Sequence, residues 1–239
     1  MPRFARNESG RDFAVGDIHG CFSDLARALT AIGFDEKTDR LFSVGDLVDR
    51  GPESPRALEW LAKPWFHAIC GNHDFVTWRS ALGVPYPEAD HLKLGGAWLN
   101  KTARAKRSQL GRRLRALPLA IEIETSLGLV GLVHADCPFD DWREMQQVHW
   151  SRIDPAGAIG KRCLWSRERF ARQYPNPIKN IRAVISGHVV LPYAKVLGNV
   201  HFIDTGGWTS GGRFTFLDLE SLKAVSGPTK PPAPGRKSR

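Results

Sequence analysis

Three short apolar runs in the first third of the chain, residues 13–15, 41–44 and 66–70, each stop at a glycine followed at once by an acid or an amide. The blocks read Gly16-Asp17-Ile18-His19-Gly20, Gly45-Asp46-Leu47-Val48-Asp49-Arg50-Gly51 and Gly71-Asn72-His73-Asp74. A strand that ends in glycine can turn sharply and aim the next side chain into the crevice beyond the carboxyl ends of the strands. Between the runs the pattern is helical. Ser23 is positioned to cap a helix with Leu25, Ala28, Leu29 and Ile32 on one face, and Ser54-Pro55 opens another that runs to about Ala62, with proline at the tolerated first position. A β-α-β-α-β order favours parallel pairing, which brings the three blocks to one rim.

Later in the chain the character changes. Residues 119–124 and 129–133, joined near Gly128, read as a hairpin, and strands over 183–186, 195–197, 200–203 and 214–219 suggest a second, mixed sheet. Two histidines repeat the pattern of the first third: residues 129–133 lead into His134, and 183–186 lead into Gly187-His188.

These residue types suit one kind of chemistry. Two divalent cations roughly 3.5 to 4 Å apart can clamp the attacking and leaving oxygens of an in-line displacement at phosphorus, and a bridging carboxylate is the simplest way to hold that spacing. Asp46 is the candidate bridge. Mixed oxygen and imidazole donors favour Mn, Fe or Zn over the all-oxygen cages of Mg or Ca. Taken alone, an acid after glycine at a strand end is an ordinary turn former. Five such sites in order reverse that reading.

The GDxHG, GDxVDRG and GNHD blocks with the two later histidines resemble the metal-dependent phosphoprotein phosphatases of the calcineurin-like metallophosphoesterase superfamily, and among them the small bacterial and phage serine/threonine enzymes, over residues 11–220 or so. The resemblance implies an α/β fold in which two mixed sheets pack as a sandwich flanked by helices, with a dimetal site at the strand-end rim. It implies that Asp17 and His19 hold one metal, that Asp46 bridges, and that Asn72, His134 and His188 hold the second. His73, oriented by Asp49, is then the general acid, and Arg50 binds the phosphoryl group with a second arginine. Arg167 in Leu164-Trp165-Ser166-Arg167 fits that second role, with Arg169 and Arg162 as alternatives. Two divalent metals, Mn²⁺ first and Fe or Zn next, are the implied cofactors.

A symmetrical diadenosine tetraphosphatase shares almost the same blocks but typically reads GDLVARG, so Asp49 favours a protein phosphatase acting on phosphoserine or phosphothreonine, with phosphotyrosine also open. A broad phosphomonoesterase is a further alternative. His67, His91, His149 and His201 fit no block and read as ordinary surface or core histidines.

At 239 residues and 42% hydrophobic composition the chain can bury a large core as one catalytic domain, expected over residues 1–226. Residues 75–118 are expected to form a helical insert over the site. They include Lys101, Arg104, Lys106, Arg107, Arg112, Arg113 and Arg115 with no acid between them, a run that either steers acidic partners or is a solvated helix face. The net charge is +9, and the Pro-rich basic tail from Gly227 to Arg239 is expected to be disordered. Phosphorylated proteins or small phosphoesters are the expected partners, with nucleic acid at most a weak electrostatic one and no membrane. The start of the chain lacks the apolar segment of a secretory signal, which predicts a cytoplasmic protein. Cys21, Cys70, Cys137 and Cys163 lack CxxC spacing and read as reduced, buried thiols, although oxidation at the first three would reach the blocks.

Overall fold

The computed structural model describes residues 1–231. Eleven strands form along them: β1 (Arg3–Phe4), β2 (Asp12–Val15), β3 (Arg40–Ser43), β4 (Phe66–Ala68), β5 (Ala120–Thr125), β6 (Gly128–Val133), β7 (Ala183–Ser186), β8 (Lys195–Leu197), β9 (Val200–Phe202), β10 (Thr215–Asp218) and β11 (Ala224–Ser226). The helices are α1 (Phe22–Ala31), α2 (Ala57–Trp60), α3 (Asn72–Leu82), α4 (Arg104–Arg115), α5 (Trp142–Gln147), α6 (Ala158–Trp165) and α7 (Glu168–Ala171).

The strands build two mixed sheets, ordered β11-β10-β2-β3-β4 and β1-β5-β6-β7-β9-β8. As the sequence implied, β2, β3 and β4 are parallel neighbours and β5–β6 is an antiparallel hairpin. Successive strand side chains point to opposite faces, so each strand feeds two cores. Ala14 and Phe42 face inward and meet Ile121, Ile123, Leu132 and Ile185 of the other sheet. Their neighbours Phe13, Val15 and Leu41 face outward onto Phe22 and Leu25 of α1, Trp60 of α2 and Phe75 of α3. On the far side Val133, Val184 and Phe202 pack on Trp142, Met145 and Cys163 from α5 and α6. The result is a helix–sheet–sheet–helix sandwich. Truncating Phe42, fully buried between the sheets, to Ala would cost about 3–5 kcal/mol.

Several elements differ from expectation. The strand expected over 214–219 belongs to the first sheet, where β10 pairs antiparallel with β2, because Phe216 and Leu217 are needed to cover opposite faces there. A strand at the very start of the chain was unforeseen, since two residues carry no periodicity; β1 pairs with β5 and brings Arg3 to Glu122 at 2.7 Å. Ser23 does not cap α1. It lies in the first turn, and its amide and hydroxyl both donate to Glu53 at 2.7 and 2.6 Å. The helix expected from Ser54 to Ala62 is a 3₁₀ turn, Ser54–Arg56, followed by the single turn of α2.

The beginning of the expected tail is docked. Gly227 donates to the Phe214 carbonyl, Lys230 exchanges backbone hydrogen bonds with Gly211 and Gly212, and the Lys230 ammonium lies 2.9 Å from Asp24. Local pairing with the β10 end outweighs the composition there. The remainder of that tail, residues 232–239, lies outside the described residues. Among the described residues no helix is long and apolar enough to cross a membrane. All four cysteines are free and buried, and burial pushes their thiols up, Cys137 to about 12. Such thiols are weak nucleophiles.

Candidate metal centre

The carboxyl ends of β2, β3, β6 and β7 open at one rim, and the turns that follow them carry Asp17 and His19, Asp46, His134, and His188. Asn72 and His73 of the third block form the first residues of α3. Five of the eight non-glycine residues with positive φ among the described residues are here: His19, Asp46, Asp49, Arg50 and His188. Left-handed backbone at non-glycine residues costs energy and persists where surroundings impose it, which marks this rim as the functional one. Glycine serves close approach as much as turning: Gly45 (φ 101°) and Gly71 pack backbone to backbone, and a methyl group on Gly71 would overlap the Asp46 carboxylate.

The donors converge on Asp46. Its Oδ2 lies 3.5 Å from His19 Nε2 and 3.6 Å from His134 Nε2, and its Oδ1 accepts the His73 amide at 2.9 Å. His19 Nδ1 donates to the Val48 carbonyl at 2.9 Å and His134 Nδ1 to the Val44 carbonyl at 2.8 Å. These carbonyls fix both tautomers and leave each Nε2 with a bare lone pair pointing at the centre. Asn72 Oδ1 sits 3.0 Å from His134 Nε2 and 3.0 Å from His188 Nδ1. An amide oxygen facing an unprotonated imidazole nitrogen across that distance lacks a proton to share. A cation supplies what the pair lacks, so the donor set fits bound metal.

Electrostatics agree. Burial pushes the Asp17 carboxyl well up, and the charges of Asp204 and Asp46 push it further. Asp204 is raised to about 6, first by burial. Burial lowers the imidazoles, His19 and His188 to about 3, so they are neutral ligands at pH 7. Burial would raise Asp46 as well, but attraction to the charged forms of His134, His73, His19 and His188 outweighs it and holds Asp46 below the usual carboxylate range. Two groups of three side chains could each hold an ion, His19, Asp46, His73 and Asp46, His134, His188, and Asp46 is common to both. In the first group His73 competes with Asp17, whose Oδ2 is 3.9 Å from His19 Nε2. His73 is already engaged: Nδ1 bonds Asp49 Oδ2 at 2.9 Å and Nε2 meets Arg50 Nη2 at 3.3 Å. Asp17 is therefore the freer candidate of the two.

A crevice of about 640 Å³ opens over these groups, lined by Asp17, His19, Asp46, Asn72, His73 and His188 and walled by Arg50, Arg167, Trp165 and Trp208. The Arg50 guanidinium stacks 4.4 Å above Trp208. Of the three alternatives for the second arginine, Arg167 lines the crevice, whereas Arg162 pairs with Glu168 at 2.6 Å and Arg169 is buried against Asp136 at 3.3 Å. His67 packs between Phe4 and Phe42, and His201 lies within β9.

Residues 13–192 match the calcineurin-like phosphoesterases. The chain belongs to that family. It is 32% identical over 205 residues to serine/threonine-protein phosphatase 2 of Salmonella typhimurium, covering 83% of this chain and 88% of the relative. It is also 35% identical over 151 residues to the symmetrical bis(5'-nucleosyl)-tetraphosphatase of Pseudomonas putida, but that match covers 62% of this chain and 44% of the relative. Among solved structures, a protein serine/threonine phosphatase from Saccharomyces cerevisiae superposes with a TM-score of 0.67 at 15% identity, over 99% of this chain and 85% of that one, a likeness of fold. This calcineurin-like phosphoesterase is thus a metal-dependent hydrolase of phosphoric esters.

Sequence reasoning missed several neighbours of the centre. His91, read as an ordinary histidine, places Nε2 3.0 Å from Asp49 Oδ1, and Trp98 Nε1 donates to the same oxygen at 2.8 Å. His91 lies in a turn and Trp98 in a short 3₁₀ stretch, Gly96–Lys101, where no periodicity or strand-end pattern marks them. Asp74 accepts from the Gly71 and Leu47 amides at 3.0 and 2.9 Å and ties the second block to the third. Its position three residues into a helix is a capping signal that the sequence does carry.

Proposed function

We propose that the centre hydrolyses phosphomonoesters, foremost phosphoserine and phosphothreonine in proteins, with two divalent cations, Mn²⁺ first. The observation that carries the reading is the Asp49–His73 pair at 2.9 Å beside the ligand cluster. A protein phosphatase expels a serine or threonine alkoxide, which leaves badly without a proton. In this reading Asp17, His19 and Asp46 hold one cation, and Asp46, Asn72, His134 and His188 the other. When bound, such cations acidify water enough to furnish hydroxide near neutral pH and offset charge on the phosphoryl oxygens.

The chain's own residues do the rest. Arg50 and Arg167, which both line the crevice, bind the equatorial oxygens; a guanidinium matches that geometry bidentately. Trp208 stacks on Arg50 and limits its motion. His73, protonated at Nε2 once Arg50 turns from it to the phosphoryl oxygens, gives that proton to the departing oxygen as the P–O bond breaks, and Asp49 stabilises the imidazolium until then. Burial alone would raise Asp49, but hydrogen bonds from His73 and His91 outweigh it and keep it a carboxylate.

The exposed cations of α4 would gather phosphoproteins with acidic flanks, and four free cysteines suit a reducing cytoplasm. The Pseudomonas relative supports a second reading, cleavage of a dinucleoside tetraphosphate. Initial rates of the Mn²⁺-loaded chain on a phosphoserine peptide, a phosphotyrosine peptide and diadenosine tetraphosphate, with a chelated control, decide between them. Fastest turnover of the phosphoserine peptide is expected; fastest cleavage of the dinucleotide would transfer the site to the second reading.

A further inference from the structure

The segment between α3 and α4 reaches Asp49 on the oxygen that His73 does not use, and its contacts there are specific. Asp49 is fully buried, and its two oxygens are used differently. Oδ2 takes the His73 Nδ1 proton at 2.9 Å. Oδ1 accepts from Trp98 Nε1 at 2.8 Å, from His91 Nε2 at 3.0 Å and from the Thr77 hydroxyl at 3.3 Å. His91 Nε2 also lies 2.9 Å from Thr77 Oγ1, so the three donors form one connected set.

We propose that His91 and Trp98 are positioning residues for the proton donor: they fix the plane of the Asp49 carboxylate and, through it, the aim of His73 at the leaving oxygen. The inference rests on the reading of His73 as general acid given above. A buried carboxylate bonded on one oxygen only can pivot about that bond; donors on both oxygens remove the freedom. Asp49 and Arg50 also hold left-handed backbone, at φ 71° and 64°. Such residues stay in place only when neighbours impose it. Ser54 Oγ supports the Asp49 amide from one side at 2.9 Å, and the segment supports the carboxylate from the other.

The segment is shaped for this contact. Gly95, at φ 97°, passes so close to Arg50 that a methyl group on it would sit 2.9 Å from the Arg50 nitrogen, and one on Gly96 would overlap the His91 ring. The glycine pair lets bare backbone lie against Arg50 with the imidazole tucked beneath it. Next to the pair, Leu94 lines the crevice, so the residues that hold Asp49 belong to a segment that borders it.

Loss of positioning has a signature that loss of fold does not. A phosphoserine peptide needs its leaving oxygen protonated, whereas 4-nitrophenyl phosphate releases a stable phenolate. His91→Ala, Trp98→Phe and His73→Asn are compared with the parent, Mn²⁺-loaded, on both substrates, with metal content and melting temperature recorded. His91→Ala and Trp98→Phe are expected to lower the peptide-to-aryl ratio of kcat about tenfold, a part of the ~10²–10⁴-fold a general acid supplies, with KM for the peptide and metal content held. His73→Asn should show the same selectivity more strongly, and His91→Gln, whose amide still donates, should restore most of the ratio. Equal losses on both substrates, or none on the peptide, in both segment variants while His73→Asn stays selective would overturn the positioning role and leave the acid reading intact. An unselective His73→Asn would overturn both.

Discussion

The strands β2 and β3 carry carboxylates at both ends, and the two ends are built on opposite terms. Where the strands begin, Asp12 takes a bidentate grip from Arg40 at 2.8 and 2.6 Å, and Asp39 is held by Arg11 at 2.6 Å. The pairs cross between the strands, each arginine coming from the strand opposite its acid. Where the strands end, Asp17 and Asp46 are as deeply buried, yet Asp46 faces neutral imidazoles and Asp17 faces Asp204. Burial would raise Asp39, but Arg11 outweighs it and holds the carboxyl down, whereas burial pushes Asp17 up without such an opponent. One end supplies its own cations and is finished on folding; the other leaves the charge open for cations from solution.

The contrast can be broken from either end. Asp46→Asn, which removes the oxygen shared by both groups of ligands, should lose at least ~10⁴-fold in turnover together with metal uptake. His73→Asn should lose about 10²–10⁴-fold on an alkyl phosphoester yet retain both ions, measured by metal analysis after gel filtration. Equal metal loss in the two variants would remove the distinction between ligand and acid. Saturating Mn²⁺ at about 100 times its Kd should stabilise the parent by about 2.7 kcal/mol for each ion bound and leave Asp46→Asn almost unchanged in the same thermal melt.

At the other end the effects are on stability alone. Arg40→Ala strands the buried Asp12 carboxylate and should cost about 2 kcal/mol in urea unfolding, less than a fully buried pair because Arg40 is partly exposed, with kcat unaltered. Asp39→Asn should cost about 1 kcal/mol at pH 7, since Arg11 is half exposed. The folded-state pKa of Asp39 lies below its ordinary 3.8. Its contribution is therefore complete above that value and is lost as the pH falls beneath it, where the difference between variant and parent should close.

The same contrast explains what could be read from the sequence. The residues of the cluster were legible because each follows an apolar run at a strand end, and the run, the turn and the donor are contiguous residues. The strands were legible in outline as short apolar runs, and the sandwich they build was implied by the resemblance that the blocks carry. What was hidden depends on partners distant in sequence: Arg3 on Glu122, Lys230 on Asp24, and His91 on Asp49 are pairings that no local pattern announces. The sheet to which β10 belongs was hidden for the same reason, because an amphipathic strand can cover either sheet and the register with Phe13, Ala14 and Val15 decides it. Arg167 was already the first choice from the sequence; what the sequence hid is that Asp136 pairs with both alternatives, Arg162 and Arg169.

The most direct test of the central claim is a titration of the metal-free chain with Mn²⁺, following bound metal and hydrolysis of a phosphoserine peptide in the same samples. Activity that is absent without metal and levels off when two ions are bound per chain is the predicted result. Full activity at one ion, or any turnover that persists in the chelated chain, would contradict a centre in which Asp46 serves two cations.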